Sequence, residues 1–231
     1  PLTMLELRDA VRHYRQGPRV VEAVRGVSLR VERGEFLSIM GPSGSGKSTL
    51  MHLMAGLDTP TSGQALYLGR DLAAMSDRER SVLRRTKLAV VFQFFNLIPT
   101  LLACDNVALP LLLAGTPRAE ARRRAEAALG HVGLAHRSGH FPDEMSGGEM
   151  QRVAVARALV LDADAILCDE PTGNLDSASS AQVLDLLRSL ADEGTRAVIM
   201  VTHDAAAGAR GDRLIRIRDG LIESIEKPRQ T

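Results

Sequence analysis

The chain contains no tryptophan, and aromatic residues make up only 3% of it. It therefore offers no aromatic platform on which nucleic-acid bases would stack. It also lacks an excess of either charge. A formal net charge of +1 argues neither for nor against a nucleic-acid partner, and with no stacking platform none is expected. There are only two cysteines, Cys104 and Cys168, both in apolar surroundings. Two thiols at that spacing make neither a disulfide framework nor a zinc site. They read as small core residues of a protein from a reducing compartment. No apolar run reaches the roughly 18 residues that would mark a membrane helix. The nearest approach, residues 96–115, is interrupted by Pro99, Asp105, Asn106 and Pro110, so the chain is not expected to span a membrane by itself. The opening PLTMLELRDAVRHY alternates like a strand and has no signal-peptide shape.

What is present suffices for a packed fold. With 231 residues, 45% hydrophobic and 25% charged, the chain fits one large domain or one domain with an inserted lobe. Two strand-like runs, around Leu5–Tyr14 and Val20–Val31, flank the turn Gln16-Gly17-Pro18 and read as antiparallel. A short apolar strand, EFLSIM, runs into GPSGSGKST, and a helical pattern follows. QALYLG reads as a further strand. Ser76 and Glu79 have capping-box spacing at the start of a helix, and LAVVFQ (Leu88 to Gln93) is a buried-type strand. From Phe94 to Met145 the pattern is that of a helical lobe. Thr116-Pro117 reads as a cap followed by Pro at the first helical position, and Ala121, Ala125, Ala128, Leu129 and Val132 form one stripe. After Ser146 the α/β alternation resumes with AILCDE, a helix from Asp176, AVIMVTHD, and the closing strands RLIRIRDG and LIESI. Strands separated by helices imply a mostly parallel sheet. The expected fold is therefore α/β, with a P-loop core assembled from 1–93 and 146–231, an antiparallel N-terminal β subdomain, and the helical lobe 94–145 inserted.

Gly41–Thr49 matches G-x-x-x-x-G-K-[ST] and lies between a strand and a helix, the context this loop requires. Backbone N–H groups along Gly41, Ser43, Gly44, Ser45, Gly46 and Thr49 would wrap phosphates. Lys47 would reach the β- and γ-phosphates, and Ser48 would offer its hydroxyl to Mg²⁺. AILCDEP places Asp169 and Glu170 at the C-terminal end of a buried strand, the edge where open α/β sheets bind ligands. Asp169 suits the metal side, through water or directly, and Glu170 suits a general base for water. His203 ends another buried strand and would lie at the same edge. Gln93, at the seam between sheet and lobe, can ligate Mg²⁺ or orient water; without the other motifs it reads equally as a solvated strand end. Tyr14 either stacks on adenine or is an ordinary half-buried strand residue.

A second phosphate-binding turn is written in EMSGGEMQR. Ser146-Gly147-Gly148-Glu149 has capping-box spacing. A cap needs neither glycine, and each costs on the order of 1 kcal/mol inside a helix. Two bare N–H groups and a hydroxyl at a helix N-terminus form a γ-phosphate clamp, surplus within a monomer. It acquires a purpose if two copies pair head to tail about a twofold axis, each clamp closing on the nucleotide of the other.

Together these residues resemble the nucleotide-binding subunit of an ABC transporter over essentially the whole chain. In that resemblance the Walker A motif is Gly41–Thr49, the Q-loop residue is Gln93, and the signature runs from Met145 to Gln151. Walker B ends at Asp169 with Glu170 next, the D-loop is Asn174-Leu175-Asp176, and the switch histidine is His203. HLMAGLDTPTSG, FQFFNLIPTLLACDNVALPLLL and DEPTGNLDS are similar to the lipoprotein-releasing and macrolide-export branch, of LolD and MacB type, with the cell-division FtsE type as a neighbour. Met145 stands where Leu is usual, and Glu149-Met150 where a glutamine pair is commoner. The resemblance implies an active ATPase using ATP and Mg²⁺, an ATP-dependent homodimer, and a position on the cytoplasmic face of a bacterial inner membrane. It also implies a separate transmembrane permease chain, driven in export or mechanotransmission. The apolar segment Leu97–Leu113 is either a docking surface for that permease or plain lobe core. The competing readings are a regulatory cassette of the cell-division type, a non-transport assembly-type ATPase and, more distantly, a P-loop kinase, which would leave the SGGE turn and His203 unexplained.

Overall fold

The structure is a computed structural model that describes residues 2–227. Two long strands, β1 (Thr3–Gln16) and β2 (Arg19–Glu32), form the expected antiparallel hairpin. Its tight turn is made possible by Gly17 at φ 61°. β4 (Ser62–Tyr67) and the short β5 (Arg70–Asp71) complete a four-stranded antiparallel sheet in the order β2-β1-β4-β5. The second sheet has six strands. Five are parallel, among them β3 (Phe36–Met40), β6 (Leu88–Val91), β7 (Ala165–Asp169) and β8 (Ala197–Thr202). β9 (Arg213–Arg218) pairs parallel to β3, and β10 (Leu221–Glu226) closes the edge antiparallel to β9. The order is β10-β9-β3-β8-β7-β6. Almost every residue of β3, β7 and β8 is buried, as expected of strands covered on both faces.

Helix α1 (Lys47–Met54) follows β3, and its face Leu50, Met51, Leu53 and Met54 packs between the two sheets. α2 (Asp77–Thr86) begins with the predicted capping box, Ser76 and Glu79 each bonding the other's backbone N–H. The lobe is α3 (Ala103–Leu113) and α4 (Arg118–His131). α5 (Gly147–Leu159) leads back to the core, and α6 (Ser177–Asp192) and a short α7 (Ala205–Gly208) follow. The stripe on α4 is buried as read from the sequence.

Two details differ from the sequence reading, and two more were not read there. β6 ends at Val91, so Gln93 lies in the loop beyond it. Pro117 stands at the N-cap of α4, one position earlier than expected, and the Thr116 side chain does not cap it. Pro110 does not break α3, and Asn106 is no solvated interruption of the apolar run. It is fully buried, and its side chain pins the loop before α3 through the Ile98 N–H and the carbonyls of Ile98, Leu101 and Leu102. Finally, α5 serves two cores. Val153, Ala156 and Val160 pack in the lobe cluster, whereas Ala154, Val155 and Ala158 pack against the sheet with α6.

Candidate functional site: the C-terminal edge of the parallel sheet

Strand order decides which loops meet. β8 lies between β3 and β7, with Met40 paired to Thr202 and Asp169 to Val201, and β6 flanks β7 with Val91 opposite Cys168. All four strands are parallel, so their C-terminal ends open at one edge. The P-loop leaves β3 there, His203 leaves β8, Asp169 and Glu170 leave β7, and Gln93 follows β6.

The P-loop conformation depends on its glycines in specific ways. Gly46 has φ 96°, and a Cβ there would lie 2.1 Å from the Ala23 carbonyl oxygen; a Cβ on Gly41 would lie 2.3 Å from that of Ile217. Gly44, also left-handed, faces open space. Ser43 is exposed and Ser45 buried, and Thr49 is half-buried on α1. Among the described residues the Ser45 hydroxyl has no hydrogen-bond partner. Lys47 is buried, donates to the Pro42 carbonyl (3.2 Å), and lies 4.0 Å from Glu170 Oε1.

Glu170 is fixed between this lysine and His203. Its Oε2 is 2.9 Å from His203 Nδ1 and accepts from the His203 backbone N–H at 3.3 Å. Its backbone is left-handed (φ 48°), a strained state for a residue with a side chain. Ser48 donates to Asp169 Oδ1 at 3.1 Å, and Asp169 Oδ2 lies 4.0 Å from His52 Nε2. Burial pushes the Asp169 carboxyl above its ordinary value, opposed by the Ser48 hydrogen bond and the His52 and Lys47 side chains. Among the described residues no group of three or more His, Cys, Asp or Glu is arranged to hold a metal. A hydroxyl and one carboxylate are a partial hard-oxygen set, the kind that Mg²⁺ completes with water and nucleotide phosphates. The residues present therefore fit the ion. His52 escaped the sequence reading, although its position one turn after Ser48 was a usable signal.

Gln93 is half-buried at the seam. Its amide packs where Gly173 lacks a side chain, a Cβ there lying 2.7 Å from Nε2, and its carbonyl accepts from Asn174 at 3.3 Å. Asp176 caps α6, accepting from the Ser179 N–H and hydroxyl. Tyr14 is held by a 2.6 Å bond from its hydroxyl to Asp58, with the Arg12 guanidinium 4.7 Å above its ring.

The signature turn lies apart, at the start of α5. Ser146 is exposed at the N-cap, accepting from the Glu149 N–H, while Glu149 accepts from the Ser146 N–H and from Arg137. Those contacts, the Ser146 backbone first, hold the Glu149 carboxyl below the usual range. The two glycines are not equivalent. A Cβ on Gly148 would lie 2.5 Å from Ser179 Oγ on α6, whereas on Gly147 the nearest atom is Leu175 Cδ2 at 3.5 Å. Close packing of α5 on α6 accounts for Gly148; Gly147 has no such demand on it. The packing demand on Gly148 was not read from the sequence. Neither Arg137 nor Ser179 carried a sequence signal, since both act through tertiary contact.

Over residues 24–173 the chain matches the family model described as ABC transporter. The chain belongs to the ABC transporter family. It is 47% identical over 97% of its length to an uncharacterized ABC transporter ATP-binding protein of Thermotoga maritima, covering 95% of that protein. It is 47% identical to the macrolide export ATP-binding/permease protein MacB of Nitrobacter winogradskyi, and 48% to the pyoverdine export ATP-binding/permease protein PvdT of Pseudomonas putida. Those alignments take in 97% and 96% of this chain but only 35% and 34% of the relatives, so the cassette spans about a third of their length. Among solved structures, the ATP-binding cassette MJ0796, dimeric in a post-hydrolysis state with ADP and Pi, superposes with TM-score 0.90 at 40% identity, covering 99% of this chain and all of that one. The chain is thus an ATP-binding, ATP-hydrolysing ABC cassette, and the names of these relatives are consistent with the MacB/LolD-type branch. Among the described residues no helix is long and apolar enough to cross a membrane.

Proposed function

We propose that two copies of this cassette close head to tail around two Mg-ATP and drive a permease in export or mechanotransmission. The observation that carries the reading is the meeting of Lys47, Ser48, Asp169, Glu170, His203 and Gln93 at one sheet edge, while the exposed Ser146 clamp starts a helix that packs into the lobe. In this reading Gly41 to Thr49 wrap the phosphates, Lys47 contacts the β- and γ-phosphates, and Tyr14 stacks on adenine through the ring face opposite Arg12. Ser48 and Asp169, with Gln93, hold Mg²⁺, which supplies charge neutralisation at the phosphates. Glu170 takes the proton of the attacking water, and His203, already bonded to that carboxylate, orients it. Ser146, Gly147, Gly148 and Glu149 present the α5 N-terminus to the partner's nucleotide, and Asp176 lines the dimer seam.

The permease would seat on a 230 Å³ groove lined by Leu57, Arg84, Phe92, Pro110, Ala158 and Leu161, next to the exposed Leu112 and Leu113. In this reading the permease is carried on another chain or segment, and the cassette sits against the cytoplasmic face of the membrane. The export names of the relatives favour transport over the regulatory and assembly-type alternatives.

Light scattering on Glu170→Gln tests the sandwich. The mass is expected to double from 24.9 kDa with Mg-ATP, and Ser146→Arg is expected to abolish the doubling. A doubling that survives Ser146→Arg refutes the clamp.

A further inference from the structure

Arg157 lies on α5 in the same helix as the signature turn, and its guanidinium reaches into the loop that carries Gln93. It donates from Nη1 to the Asn96 carbonyl (2.6 Å) and from Nη2 to the Phe95 carbonyl (3.0 Å). Burial works against its charge, and among the described residues no carboxylate compensates it. A desolvated guanidinium needs its hydrogen bonds, so these two carbonyls are its purpose in the fold. Both belong to residues with a left-handed backbone: Phe95 at φ 59°, costly for a bulky side chain, and Asn96 at φ 49°, a state asparagine tolerates better. The same loop is gripped upstream, where Gln151 on α5 donates to the Phe92 carbonyl at 3.4 Å and Asn174 donates to that of Gln93. Arg157 and Phe92 also line the 230 Å³ groove.

We propose that Arg157 is a positioning residue for Gln93. It holds the Phe95–Asn96 turn in its left-handed form and so fixes where the Gln93 amide lies. This rests on the reading that Gln93 belongs to the ATPase site.

The test compares Gln93→Ala, Arg157→Met, Arg157→Lys and the double variant Gln93→Ala/Arg157→Met for kcat, KM and the Kd of a fluorescent ADP. Arg157→Met is expected to lower kcat roughly ten- to hundredfold, the scale of a misplaced group. ADP affinity should stay within about twofold, because the P-loop is untouched. Arg157→Lys should recover part of the loss, its ammonium reaching one carbonyl. The double variant should be no slower than Gln93→Ala alone, since one residue acts through the other. Wild-type kcat in Arg157→Met, or a double-variant loss equal to the product of the single losses, overturns the inference while the site reading stands. Wild-type kcat in Gln93→Ala removes both. Should Arg157→Met not fold, Arg157→Lys decides through a fluorophore. The chain has no tryptophan and Phe94 is 73% exposed, so Phe94→Trp reports this loop alone. Its acrylamide quenching is expected to rise in Arg157→Lys, and an unchanged quenching constant overturns the proposal.

Discussion

Gly148→Ala isolates what the second glycine of the signature turn does. The added Cβ would lie 2.5 Å from Ser179 Oγ and 2.7 Å from Ser179 Cβ. Two carbons are comfortable at about 3.5–4.0 Å. Rotating the Ser179 hydroxyl away breaks its 2.8 Å bond to Asp176 and leaves the Cβ–Cβ clash, so the first turn of α6 must retreat by about 1 Å. Overpacking of this kind costs about 1–3 kcal/mol. Replacing Gly by Ala in a helix returns at most about 1 kcal/mol. The net is a destabilisation of about 0–3 kcal/mol, and at this chain length each kcal/mol lowers Tm by roughly 2–4 °C. Gly147→Ala meets nothing closer than 3.5 Å and should melt at or above wild type. The assay is thermal melting by circular dichroism on both variants and on Gly148→Ala combined with Ser179→Gly or with Ser179→Ala. Ser179→Gly removes the clashing Cβ and should restore the lost stability, whereas Ser179→Ala keeps that Cβ and should not. A Gly148→Ala protein that melts no lower than Gly147→Ala refutes the packing argument. Gly147→Ala is expected to fold normally yet fail to dimerise with Mg-ATP, since its methyl would stand against the bare N–H groups; normal dimerisation would show that the phosphate does not approach there.

Asp169 predicts a pH dependence. Its folded pKa lies above the ordinary 3.8, so the native state keeps a proton the unfolded chain has released. Its contribution therefore turns unfavourable as pH rises through that window and stays so above it. Asp169→Asn should raise the Tm of the nucleotide-free protein at pH 7, and the gain should shrink as pH falls toward about 4. A gain that does not change with pH contradicts the assignment, and a stabilisation by Mg-ADP that survives the substitution contradicts the metal role. Cys104 and Cys168 are both buried with their thiols pushed above the usual range. Neither should react with Ellman's reagent until the protein is unfolded, when both should; rapid labelling of the native chain would mean that one core opens.

The motifs that bind phosphate were legible because they are local. A turn that needs glycine at Gly46, a lysine at the first position of α1, and a cap of Ser146 with Glu149 are each set by a few consecutive residues, and the backbone has little choice in how to make them. The buried strands announced themselves by apolar runs, and their acidic or histidine endings marked candidate groups. None of that says which strand lies beside which. Only the order β3-β8-β7-β6 brings Lys47, His203, Glu170 and Gln93 to one edge, and that order comes from how helices cover both faces of the sheet. The reason for Gly148, the buried Asn106 that ties a loop, and the hold of Arg157 on Phe95 and Asn96 were likewise absent from the sequence. Apart from Asn106, whose partners are four to eight residues away, each is a contact between elements distant along the chain, where steric fit and the need to satisfy buried polar groups decide, and these are properties of the packed whole.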